Sequence, residues 1–242
     1  MLRRRTTKFH SKIRAFLFSA TFYLWITFSM IAALPLVFSY RTIYFLAHYW
    51  SLSVAWLMKV ILGANYKIEG LENLPLNSGF VVASKHQSAW ETIIMFALLP
   101  KACFIYKKEL SYIPIYGWYN IVFKNIKVDR KGGMGALKKV ISQAKQRVEQ
   151  GHQVIIFPQG TRTQFGQTAE YKPAVYAMYR EGLPVYPAAL NSGLVWPKRG
   201  MKRAGTITLK FLPRIGPGLG KDEFMSKLES VIEAESMMLA SG

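Results

Sequence analysis

The sequence predicts an α/β fold: a mixed sheet flanked by helices, preceded by an N-terminal membrane-associated helical segment. Three observations carry this expectation. Residues 1–64 hold two long apolar runs. From about Tyr66, short runs rich in β-branched residues alternate with helix-like stretches. The length, 242 residues, suits one α/β domain with a modest addition. The boundary is placed between 64 and 65, giving a helical region 1–64 and an α/β domain 65–242.

Composition narrows the partners. Half the chain is apolar (51%), which argues against disorder. The formal charge is +19, from 32 Lys and Arg against 13 Asp and Glu. Such a balance points to nucleic acid, an acidic membrane surface or a phosphorylated substrate. The apolar N-terminus and the lack of a nucleic-acid-binding module remove the first. Cys103 is the only cysteine, so no disulfide framework is expected and a reducing compartment is. A buried thiol is the expected state of Cys103.

"MLRRRTTKFHSKIR" opens the chain without an acidic residue, and Ala15 to Tyr40 carry no charge. That run exceeds the roughly 20 apolar residues that cross a bilayer. A signal peptide shares its outline, but no small-residue cleavage site follows cleanly. Arg41 is expected to break the run. A second apolar stretch follows to Ala64, with Tyr44, Phe45, Tyr49, Trp50 and Trp56 suited to a lipid–water boundary. Two spanning helices, or a hairpin dipping into one leaflet, fit equally. The early cations place the N-terminus in the cytoplasm.

Strands are predicted at 79–84, 102–106, 153–158, 184–190 and 206–212. Between Gly135 and Gln150, Leu137, Val140, Ile141, Ala144 and Val148 recur at helical spacing, with Lys138, Lys139, Lys145 and Arg147 opposite. Lys221 to Leu239 reads as a closing helix.

The chemistry-bearing residues sit at strand ends. There is no G-x-S-x-G elbow, Walker A loop, G-x-G-x-x-G or H-E-x-x-H. Instead "SKHQSAWET" follows the strand at 79–84, "YKKEL" the next, "KVDRKGG" precedes a helix, and "FPQGTRT" follows the strand at 153–157. Ligands of open α/β sheets gather beyond strand carboxyl ends. His86 is a natural base near neutral pH, and Lys108, Arg130 and Arg162 are natural phosphate ligands. His10, His48 and His152 match no motif and are expected at interfaces or the surface. Glu91 admits two readings. It orients His86, or it closes an S-x-x-E capping box with Ser88 at a helix start. One carboxylate is not expected to do both.

This ordered set resembles the glycerolipid acyltransferase family, and within it the bacterial 1-acyl-sn-glycerol-3-phosphate acyltransferases. "HQSAWE" answers the family's H-x-x-x-x-D, "KKELSYIPIYG" with "VDR" its second motif, "FPQGTR" its F-P-E-G-T-R, and "LPVYPAAL" its apolar fourth. The resemblance implies direct acyl transfer without an acyl-enzyme. His86 would act as base and Glu91 as its orienting acid. Lys108, Arg130 and Arg162 would bind the substrate phosphate, with Gly160 and Thr161 shaping the turn and Gln159 at the substrate. The implied acceptor is lysophosphatidic acid and the product phosphatidic acid. The implied donor is acyl-CoA or acyl carrier protein. No metal and no cofactor is called for. Anionic membrane lipids are the implied surroundings, at a bacterial inner (plasma) membrane with the active site facing the cytoplasm.

Two positions depart from the family: Glu91 stands for its aspartate and Gln159 for its glutamate. They keep two rivals open, acylation of another lysolipid (a lyso-ornithine lipid or a lysophospholipid) and an inactive membrane scaffold.

Overall fold

The computed structural model describes residues 2–167 and 169–241, with side chains from residue 10 onward. Helix α1 (Leu2–Ala32) ends before Pro35, which sits in a 3-10 turn at Leu34–Leu36. Proline lacks the donor that continues a helix. The chain restarts as α2 (Tyr40–Leu57), where Ser39 caps the helix by accepting from the Thr42 N–H. The helix boundary lies upstream of the charge that ends the apolar run: Pro35 follows the end of the first helix, and Arg41 stands within the second. A π-type turn, Met58–Leu62, extends α2 to Gly63.

His10–Ala32 and Tyr40–Leu62 are each long and apolar enough to cross a membrane. Both also lie along the α/β domain. Phe18 and Phe22 meet Trp196 edge-on, each with centroids 5.2 Å apart. The Tyr119 hydroxyl donates to the Met30 carbonyl at 2.8 Å, and Ser51 Oγ to the Ile93 carbonyl at 2.8 Å. Phe16, Leu24, Phe28, Phe45, Tyr49 and Trp56 face outward, exposed.

The described residues form one seven-stranded mixed sheet flanked by helices, as the sequence predicted. In chain order the strands are β1 (Ala64–Glu69), β2 (Phe80–Ser84), β3 (Ala102–Lys107), β4 (Ile126–Val128), β5 (Gln153–Ile156), β6 (Val185–Leu190) and β7 (Gly205–Phe211). Across the sheet the order is β1-β7-β6-β2-β5-β3-β4. Strands β6, β2, β5, β3 and β4 are parallel; β7 runs antiparallel to β6 and carries β1 parallel to itself. Five helices complete the fold: α3 (Trp90–Leu98), α4 (Tyr116–Val122), α5 (Gly133–Glu149), α6 (Ala174–Arg180) and α7 (Lys221–Ser241).

Strands β2, β5 and β6 are buried along their whole length, which is why their sequences read as unbroken apolar runs. Two apolar layers cover the sheet. One joins α1, α2 and α3 to Phe80, Val82, Ile207 and Phe211; the other joins α5, α6 and α7 to Val81, Val154 and Val185. Cys103 is buried in the second layer, and burial pushes its thiol up to about 12.

Candidate active site

Because β2, β3, β5 and β6 are parallel, their carboxyl ends share one edge of the sheet. The four segments that follow them meet there. His86 leaves β2, Lys108 follows β3, Gln159 to Arg162 follow β5, and Ser192 and Gly193 follow β6.

His86 Nδ1 and Glu91 Oε1 are 2.9 Å apart. Glu91 is fully buried, with five donors converging on its carboxylate. Oε1 takes His86 Nδ1 and the Gln87 and Ser88 N–H groups, the latter two at 2.7 Å. Oε2 takes Ser88 Oγ at 2.7 Å and Ser192 Oγ at 2.9 Å. Burial alone would raise its pKa. Hydrogen bonding and charge from His86, with the bonds from Ser88, outweigh that and hold the carboxyl below its ordinary value. An ionised carboxylate only accepts, so Nδ1 carries a proton, and in the neutral imidazole the lone pair is on Nε2. Nε2 has no protein partner among the described residues, and the side chain is 16% exposed. The ring lies flat on Phe157, with centroids 3.9 Å apart and planes 17° from parallel.

Glu91 thus does both jobs that the sequence set against each other. Oε1 holds the imidazole and also closes the capping arm to the Ser88 N–H. The other arm is altered: Ser88 Oγ accepts from the Trp90 N–H, two residues on, and donates to Glu91.

The turn after β5 holds the His86 backbone. Thr163 N–H donates to the His86 carbonyl at 2.8 Å, and Gln159 Oε1 accepts from the His86 N–H at 3.3 Å. Gln159 is buried, so its amide serves the protein backbone here. Gly160 adopts φ +65°, a left-handed conformation open to glycine, and its carbonyl accepts from Arg130 Nη2. Lys108 pairs with Asp129 at 3.0 Å; each shifts the other, the lysine up and the aspartate down. Thr161 and Arg162 stand exposed on the turn. The cations therefore stand on the more exposed segments that follow the strands, while Glu91 and Gln159 are buried beside His86. Among the described residues no cluster of His, Cys, Asp and Glu is placed to hold a metal ion.

Residues 65–191 match the family model described as Acyltransferase. The chain is also 37% identical over 207 residues to a Pseudomonas aeruginosa 1-acyl-sn-glycerol-3-phosphate acyltransferase, covering 84% of this chain and 77% of that protein. It belongs to the acyltransferase family. A Saccharomyces cerevisiae protein of the same name is 26% identical over 182 residues, 72% of this chain and 59% of the yeast protein. The fold of this acyltransferase is that of PlsC, the 1-acyl-sn-glycerophosphate acyltransferase of Thermotoga maritima. The two superpose with a TM-score of 0.76 over 96% of this chain and 98% of that one, at 24% identity.

Several groups, within the acyltransferase site and away from it, carried no signal in the sequence. Ser192 and Gly193 follow the apolar fourth motif and clasp the first: Ser192 bonds Glu91, and the Gly193 N–H bonds Gln87 Oε1 at 2.9 Å. A Cβ at Gly193 would stand 3.2 Å from Gln87 Oε1, a tight approach that the glutamine side chain would have to give way to. Lys85 is buried and pairs with Glu233 of α7. His152, expected at an interface or the surface, is buried against the Lys101 carbonyl. Burial pushes its pKa down to about 4, offset in part by that hydrogen bond. Its ring fills the start of β5, a position that a one-dimensional reading could not see.

Proposed function

We propose that this acyltransferase acylates the free hydroxyl of 1-acyl-sn-glycerol 3-phosphate, with acyl-CoA or acyl carrier protein as donor, and releases phosphatidic acid. The observation that carries this is the His86–Glu91 pair: a buried carboxylate fixes Nδ1–H and leaves Nε2 with a lone pair. His86 takes the hydroxyl proton as the oxygen attacks the thioester carbonyl. The tetrahedral adduct collapses with loss of the thiolate, and His86 returns the proton to sulfur. Ester and thiol are the products, and no acyl-enzyme is formed. The names of the relatives support the acceptor. Arg130, Arg162 and Lys108 supply cations for its phosphate. That Glu91 reaches His86 despite its length weighs against an inactive scaffold.

The reaction is placed at a bacterial inner membrane, on the cytoplasmic side. The arginines of the opening segment support that side by the positive-inside rule. The contacts of α1 and α2 with the α/β domain support a hairpin lying in one leaflet. The second motif and α4 add exposed Tyr112, Ile113, Tyr116, Trp118 and Ile121, and Tyr119 ties them to α1. These apolar side chains set the crevice against the same lipid surface.

The test is acyl transfer in liposomes, with lysophosphatidic acid and each thioester donor, beside His86→Ala. Phosphatidic acid from the wild type and none from the variant is expected. No product with either donor overturns the proposal, and turnover of a different lysolipid reassigns the acceptor.

A further inference from the structure

Gln159 occupies the place of the glutamate in F-P-E-G-T-R, and its surroundings show where the missing charge resides. Its Oε1 accepts from the His86 N–H at 3.3 Å and from Thr163 Oγ1 at 3.4 Å. The amide nitrogen is thereby turned to Glu233 Oε1, 3.4 Å away on α7. Glu233 Oε1 also accepts from the Tyr171 hydroxyl at 3.0 Å, and Oε2 pairs with the buried ammonium of Lys85. Lys85 directly precedes His86, so Glu233 braces this loop twice, through Gln159 and through Lys85.

We infer that Glu233 is a positioning residue for His86, carrying the negative charge that the family's motif places at 159. The two positions are complementary. A glutamate at 159 could still accept from the His86 N–H. Its second oxygen would then replace the amide nitrogen and face Glu233 Oε1 at about the same separation, two carboxylates against one lysine. A glutamine at 233 alone would leave Lys85 buried without a counter-charge. Exchanging both restores the charge count and the donor–acceptor pattern. The carboxylate now at 159 accepts from the amide now at 233, the carbonyl of that amide takes Lys85, and Tyr171 turns from donor to acceptor.

This inference rests on the proposed reaction for its kinetic readout and not for its thermal one. Gln159→Glu, Glu233→Gln and the double variant are compared with the wild type in acyl transfer and in Tm. Each single variant is expected to lose about tenfold or more in kcat, with KM for lysophosphatidic acid within about threefold. The double variant is expected to return to within about threefold of the wild-type kcat, with recovered Tm. Wild-type kcat in Glu233→Gln overturns the inference. So does a double variant no better than the worse single, or a loss confined to KM, which would make Gln159 a substrate ligand. If the wild type turns over no lysophosphatidic acid, the proposed reaction fails, and Tm alone then decides the pairing. Additive losses reject it, and recovery in the double variant upholds it.

Discussion

The carboxylate of Glu91 accepts from His86 Nδ1 at 2.9 Å while wholly shielded from water. Removing its charge while keeping its shape should disorder the imidazole and weaken the developing imidazolium. Glu91→Gln is expected to lower kcat by about 10²- to 10⁴-fold with little change in KM. Steady-state kinetics on folded protein checks this.

The same carboxyl is held below its ordinary value, so it stabilises the fold when ionised. Its contribution is complete above the unfolded-state value of about 4.5 and is lost as pH falls through the lower folded value. Tm of the wild type should drop more steeply than that of Glu91→Gln below that pH. Parallel curves would contradict the assignment.

Ser192 supplies one of two donors to Glu91 Oε2, from a turn more than a hundred residues away. Ser192→Ala should cost about 1–3 kcal/mol, since the lost bond is to a buried charge. A smaller drop in kcat than for Glu91→Gln is expected, because Oε1 and its bond to His86 remain. Denaturant melts and kinetics measure the two effects.

Arg162 stands exposed on the turn after β5. Arg162→Ala should raise KM for the acceptor by about tenfold or more, with kcat less affected, and Arg162→Lys should recover only part. A change confined to kcat would place Arg162 elsewhere than on the phosphate.

Trp118 and Ile121 are exposed on α4 beside the helical hairpin. Replacing both with serine should weaken liposome flotation and leave Tm nearly unchanged. Undiminished flotation would remove α4 from the membrane contact.

Elements whose signals are local could be read from the residues alone. Strands β2, β5 and β6 are buried on both faces and so read as apolar runs, and α5 displays its stripe at helical spacing. His86, Glu91 and the cations lie in short motifs at strand ends, so their placement at one edge of the sheet was legible. Strand β1 was not, because "ANYKIE" is a largely exposed edge, and β4 has only three residues. Tertiary structure alone decided what each side chain does. Both readings of Glu91 demand the same residue at the same spacing, and only the folded turn shows its two oxygens divided among five donors. Glu233, Lys85 and Ser192 gain their roles from strand order and the seat of α7 against β6, which bring together residues far apart in the chain. Partnerships at that separation follow from how the layers pack, and no local pattern of residues records them.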